Sequence, residues 1–229
     1  MFETPQLPRF MIAEGVIGVG KTTLIQALSD RLAARTVFEV FEENPFLRDF
    51  YQDQARYALS TEMFFLLSRF NQQELFAQED LLQRHSVSDY LFEKCRLFAG
   101  LTLSSDEFAL FSRVYEILAR QVPKPDLVLY LTAPVEVLLE RIAARGRDYE
   151  RSITAEYLSE LDLRYRSYFA GYTDAPVLIV DTTRIDFRNP EQLDRLMARL
   201  ATGQGGELDA DSLEQLSLEQ FAARVEEER

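Results

Sequence analysis

The chain has 229 residues and 47% of them are hydrophobic, which suits one folded domain and excludes a disordered chain. A formal net charge of −13 argues against a nucleic-acid-binding surface, though not against one anionic nucleotide in a locally basic pocket. The single cysteine, Cys95, excludes an internal disulfide. No apolar run reaches the roughly 18–20 residues of a membrane helix and no secretory pattern opens the chain, so a cytoplasmic location is the expectation.

In chain order, strand-like apolar runs alternate with helical patterns. RFMIAEG (9–15) reads as a buried strand, residues 21–35 as a helix and TVFEVF (36–41) as a second strand. NPFLRDFY opens a helical region that runs to about residue 83. HSVSDY (85–90) reads as a short strand ending in an acid, and residues 91–121 as mostly helical with an interruption near 100–105. DLVLYLTA (126–133) is a strand, 134–146 a helix started by proline, APVLIVD (175–181) the last strand and 189–200 the last helix. This alternation predicts an α/β fold, a five-stranded, mostly parallel sheet with helices on both faces. Residues 1–201 read as one domain, TGQGGE (202–207) as a flexible junction, and 202–229 as an acidic, helical C-terminal extension.

Residues 15–22, GVIGVGKT, match G-x-x-x-x-G-K-[ST] between a strand and a helix, where a phosphate-binding loop must sit. Gly15, Gly18 and Gly20 let the backbone curl so that its N–H groups, with that of Val19, face phosphate oxygens. The following helix adds its positive end. Lys21 supplies a charge for the outer phosphates, Thr22 a hydroxyl for Mg²⁺, and Thr23 completes the candidate nucleotide site. No N/T-K-x-D guanine-reading motif is present, which argues against a GTPase. ERIAARGRDYER (140–151) gathers Arg141, Arg145, Arg147 and Arg151 around a glycine. This segment, about 141–151, reads as a cationic lid over transferring phosphates, or else as a helix face paired with Glu140, Asp148 and Glu150.

In STEMFFLLSRFNQ (60–72), Glu62 and Arg69 stand seven residues apart on one face of a greasy helix, with Phe65 and Leu66 between them. Ionised glutamate only accepts and arginine only donates. Glu62 therefore complements guanine N1–H and N2–H₂, and Arg69 complements O6 and N7. The alternative is a structural ion pair.

GVIGVGKTT, EVFEENPFLRDFY, EMFFLLSR, SDY after a strand, PKPDLVLYL, RIAARGRDYE and a late Asp186–Phe187 resemble, in order and spacing, the deoxyribonucleoside kinase family. The likeness covers about residues 9–200 and is greatest to the bacterial deoxyguanosine/deoxyadenosine kinase branch. The resemblance implies a P-loop kinase fold and transfer of the γ-phosphate of ATP, with Mg²⁺, to the 5′-OH of a deoxynucleoside. It makes Glu39 the general base, with Glu42 and Glu43 as rivals, and Asp89 the acid near the metal. Relatives often follow that acid with arginine; here Tyr90 stands there, and Arg145 or Arg147 is the expected replacement. The resemblance places Tyr51 and Glu150 at the sugar, Phe98 as a candidate for stacking on the base, and Asp186 and Phe187 at the adenine of ATP. It also implies a homodimer. His85 is given no role, and Cys95 reads as a buried small hydrophobe. Deoxyguanosine is the favoured substrate, ahead of deoxyadenosine or a broad range. A catalytically silent nucleotide-binding regulator is the reading from another class.

Overall fold

The computed structural model describes residues 7–39, 43–79, 85–147, 150 and 153–214. Glu42, Asp148 and Arg151 lie outside the described residues, as do the tail 215–229 and the far end, 80–83, of the long helical region.

Six strands form one parallel sheet: β1 (Phe10–Gly15), β2 (Arg35–Val37), β3 (Ser86–Ser88), β4 (Leu127–Thr132), β5 (Val177–Asp181) and β6 (Gly206–Leu208), in the order β2-β3-β1-β4-β5-β6. Five of these are the strands expected from sequence. The sixth lies in the segment read as a flexible junction and pairs Ile179 with Glu207 along β5. Its three residues, Gly-Glu-Leu, carry no apolar run, so only the pairing reveals it. β4 is buried on both sides, as its unbroken apolar sequence requires.

From β1 the chain runs outward to β2 and β3 on one side, then crosses back to β4, β5 and β6 on the other. The carboxyl end of β1 is therefore a topological switch point, where ligands bind in sheets of this kind.

Helix α1 (Lys21–Leu32) is shorter than expected, because Ala33 adopts a left-handed φ of 49° and Arg35 already belongs to β2. The helical region after residue 44 divides into α2 (Leu47–Phe50) and α3 (Gln54–Glu79). α4 (Lys94–Thr102) and α5 (Ser105–Ala119) break where expected, with Ser104 and Glu107 forming a capping box. α6 (Val135–Arg145) starts after Pro134 and ends at Gly146, whose φ is 71°. α7 (Ala155–Ala170) is absent from the sequence reading, although Leu158, Leu161, Tyr165 and Phe169 mark its buried stripe at helical spacing. α8 (Pro190–Leu200) and α9 (Ala210–Glu214) complete the chain order.

Beneath the switch point lies a wholly buried carboxylate, Glu14. Its Oε1 accepts the Gly15 N–H at 2.9 Å and the Tyr165 hydroxyl at 3.0 Å; its Oε2 accepts the Leu91 N–H at 2.9 Å. One side chain thus ties β1 to the β3–α4 turn and to α7. Glu14→Gln would turn an amide N–H toward the Leu91 N–H, or toward the other two donors, and leave a buried donor unmatched. We expect a loss of about 2–3 kcal/mol, read as a lower denaturant midpoint with an unchanged slope.

Candidate active site

The phosphate loop follows β1, and its glycines are fixed by contacts as well as by φ. Gly15 has φ +148° and a Cβ there would lie 2.4 Å from Leu131 O; Gly18 has φ +86° and a Cβ would lie 2.9 Å from Ile142 of α6. The loop opens into a cleft of about 740 Å³ whose walls come from both sides of the switch point. Of the sequence-expected site residues that the structure describes, all but Gly15, Leu66 and the rival Glu43 line this cleft.

Lys21 folds over the loop, donating to Gly15 O at 2.6 Å and Val16 O at 3.1 Å. Burial, aided by the nearby Lys94 charge, pulls its ammonium down to about 8. Thr22 Oγ1 donates to Asp89 Oδ2 at 3.0 Å, and Asp89 Oδ1 accepts the Glu39 N–H at 2.8 Å. Thr22 and Asp89 thus bring a hydroxyl and a carboxylate together on the cleft. These hard oxygen donors suit Mg²⁺, which takes few protein ligands and completes its shell with water and phosphate. Among the described residues no group of three or more His, Cys, Asp or Glu side chains is arranged to hold a metal ion.

Glu39 lies two residues past β2, at the carboxyl edge of the sheet, with its N–H bonded directly to Asp89. Its Oε1 accepts from Arg69 Nε at 2.9 Å and also from Arg69 Nη2. Its Oε2 accepts from Lys94 Nζ at 2.5 Å. Burial pushes the Glu39 carboxyl up, but the Arg69 and Lys94 charges overcome it and hold it well below the usual carboxylate range. Glu43, the rival within the described residues, is exposed.

These contacts change two sequence expectations. The cation at Glu39 is not supplied by the lid: it comes from Arg69 and from Lys94, for which the sequence alone gives no signal. Arg145 and Arg147 instead converge on Glu150, at 2.7 and 3.5 Å. Tyr90, in the position often held by arginine, is wholly buried; its hydroxyl donates to Gln72 Oε1 at 3.0 Å. Arg141 is also engaged, donating to Val19 O, Thr182 Oγ1 and Thr182 O at 3.3, 3.0 and 2.7 Å. It braces the phosphate loop against the end of β5.

Glu62 and Arg69 share the inner stripe of α3 with Leu66 and Gln73, all four buried. Arg69 does more than the sequence suggested: besides Glu39 it donates to Cys95 Sγ at 3.0 Å, and its guanidinium sits 4.9 Å above the Phe65 ring. Cys95 is therefore a polar contact as well as a buried small side chain. Glu62 Oε1 takes a 3.1 Å contact from the Thr102 hydroxyl, whereas Oε2 has no hydrogen-bond partner among the described residues. Burial, only partly opposed by Arg69, pushes the Glu62 carboxyl up to about 7. Tyr51 and Phe98 line the same chamber; Asp186 and the buried Phe187 lie at its other end, beside the phosphate loop. His85 is remote from this network, its Nδ1 lying 3.1 Å from Pro8 O.

The family model described as deoxynucleoside kinase matches residues 11–202. The chain belongs to the deoxynucleoside kinase family. It is 34% identical over 197 residues to the deoxyguanosine kinase of Bacillus subtilis (strain 168), covering 83% of this chain and 95% of that one. It is 31% identical over 186 residues to the deoxyadenosine/deoxycytidine kinase of the same organism, covering 77% and 84%. Among solved structures, a deoxyadenosine kinase from M. mycoides with bound dCMP and a flexible dCDP superposes with a TM-score of 0.72. That match covers 83% of this chain and 98% of the other at 23% identity, so it speaks to the fold alone.

Proposed function

We propose that this deoxynucleoside kinase transfers the γ-phosphoryl group of ATP to the 5′-hydroxyl of a purine deoxynucleoside, deoxyguanosine before deoxyadenosine. One observation carries the substrate reading. The cleft that holds the phosphate loop and Glu39 also holds Glu62, a buried carboxylate with one oxygen unpartnered. Once ionised, that oxygen matches the donor edge of guanine and mismatches the N1 acceptor of adenine. The similarity to a deoxyguanosine kinase supports the same reading.

In this reading the loop amides and Lys21 hold the phosphates, and Thr22 and Asp89 hold Mg²⁺, which supplies charge neutralisation at the phosphate oxygens when bound. Glu39 accepts the 5′-OH proton. Tyr51 and Glu150 pack around the sugar and Phe98 against the base. Arg69 anchors Glu39 and keeps its remaining N–H groups for the acceptor edge of guanine. Arg145 and Arg147 close from the lid, Arg141 fixes the loop beneath them, and Asp186 and Phe187 border the adenine of ATP. A homodimer located in the cytoplasm completes the proposal.

A second reading, deoxyadenosine, also has an observation behind it. At about 7, the Glu62 carboxyl is partly protonated at neutral pH and then donates as well as accepts. A coupled assay with ATP, Mg²⁺ and each of the four deoxynucleosides tests both. We expect the highest kcat/KM with deoxyguanosine at pH 8. No turnover with any of the four would overturn the kinase reading; a preference for deoxyadenosine at that pH would overturn the guanine assignment alone.

A further inference from the structure

We infer that Lys94 is a mobile catalytic cation: it guards Glu39 Oε2, shares that oxygen with the arriving 5′-hydroxyl, and moves its charge onto the phosphoryl group during transfer. This rests on the kinase reading above.

Two cations hold Glu39, and they are held unequally themselves. Arg69 is fixed by its fork on Oε1, by Cys95 Sγ at 3.0 Å and by the Phe65 ring at 4.9 Å. Lys94 has one hydrogen-bond acceptor among the described residues, Glu39 Oε2, and otherwise lies 5.5 Å from the Phe98 ring centre. A base must offer an oxygen lone pair to the proton it takes. Oε1 sits under a braced planar fork, whereas Oε2 faces a flexible stem ending in three rotatable donors. Oε2 is therefore the reactive oxygen, and Lys94 is the group that adjusts.

The surroundings say where the ammonium goes. Lys94, buried, and Lys21, half-buried, are two cations lining one cleft, and the Lys94 charge helps to lower the Lys21 ammonium. Like charges so placed are costly unless an anion comes between them. The position next in sequence to Asp89 contributes no cation, because Tyr90 turns into the core. In the transfer, the O5′–H bond breaks and its proton passes to Glu39 Oε2. A bond forms from O5′ to the γ-phosphorus of the nucleoside triphosphate, and the bond from that phosphorus to the bridging oxygen breaks, its electron pair leaving with the diphosphate. Lys94 keeps its proton throughout. As Oε2 is neutralised, the attraction that held Lys94 fades while charge on the phosphoryl oxygens calls for it. The interaction is stronger in the transition state than before it, so it acts on kcat.

The test compares K94M and K94R with the parent, measuring kcat, KM for nucleoside and triphosphate, nucleoside binding by calorimetry, and thermal melting. K94M keeps the stem and removes the charge. We expect its kcat to fall about a hundredfold with nucleoside affinity within about threefold, and K94R to recover at least a tenfold part of the loss. If K94M retains kcat within about threefold, if its loss falls wholly on nucleoside KM, or if arginine restores nothing, the proposal is overturned. Should K94M fail to melt cooperatively, K94Q and K94R decide: an active arginine and an inactive glutamine support it, and equal activities of the two overturn it. An inactive parent enzyme would instead overturn the kinase reading itself.

Discussion

Glu39→Gln is expected to bind its nucleoside and lose turnover by about three orders of magnitude. General-base contributions run from about 10² to 10⁴, and the glutamine amide has no site for the proton. The loss should appear in kcat, measured with saturating ATP and Mg²⁺, while calorimetric affinity for the nucleoside stays within a few-fold. The substitution also leaves Arg69 and Lys94 buried without their counter-charge, so a fall in stability of about 3 kcal/mol or more should accompany it. Glu39→Asp separates the two effects: it restores the charge but withdraws the carboxylate by one methylene, so stability should recover further than turnover. Retained turnover in Glu39→Gln would move the base to Glu43 or Glu42. A strongly acidic Glu39 is compatible with the role. Phosphoryl transfer passes through a loose transition state in which the attacking oxygen keeps its proton until late. A base held ionised at every working pH suffices, and proton transfer becomes easier as Lys94 lets go of Oε2.

How much of this was legible in the sequence depended on how far each partner lay along the chain. The phosphate loop is contiguous, so its type, its flanks and its glycines could be read together. The family resemblance points to Glu39 and Asp89, and both follow strands, whose carboxyl ends share one edge in a parallel sheet. Arg69 shows the limit of helical periodicity as a signal. Helical periodicity placed it beside Glu62, and the structure keeps them on one stripe. Periodicity says nothing about which residue arrives from another element, and Glu39, thirty positions earlier, claims the guanidinium. Lys94 escaped for the same reason: in the run FEKCRLFAG it reads as an ordinary helix-start lysine until Glu39 is folded against it. Glu14 reads as a polar interruption of a strand, because its three donors come from its own neighbour, from residue 91 and from residue 165. The sixth strand and α7 failed differently. The strand is too short and polar to signal itself, and the helix's apolar stripe is diluted by charged residues on its outer face.

The choice of base should depend on pH with a defined sign. Burial raises the Glu62 carboxyl to about 7, with Arg69 on the same helix pulling the other way. Below that pH the protonated group presents an O–H, which suits the N1 acceptor of adenine; above it the carboxylate only accepts, which suits the N1–H and N2–H₂ of guanine. The other groups that bear on Glu62 are Thr102, Lys94 and Cys95 from α4, Glu39 after β2, and Tyr157 from α7. Burial raises the Tyr157 hydroxyl and the Cys95 thiol, so neither gains charge near neutrality. The Lys94–Glu39 pair stays ionised, each partner favouring the charged form of the other. Lys21, drawn down to about 8, does titrate nearby, but it lies over the phosphate loop and its effect is expected to be common to both nucleosides. The quantity to measure is therefore the ratio of kcat/KM for deoxyguanosine over deoxyadenosine from pH 5.5 to 8.5, in which common terms cancel. We expect it to rise with pH by up to about tenfold per unit through neutrality, since a ratio set by one proton follows that slope. Glu62→Gln should remove the slope and move the ratio toward deoxyadenosine by about two to four decades at pH 8, because each mispaired buried group costs about 1–3 kcal/mol. A flat ratio in the parent would show that Glu62 does not titrate in contact with the base. A sloping parent with an unchanged ratio in Glu62→Gln would place both the titration and the base recognition on another side chain.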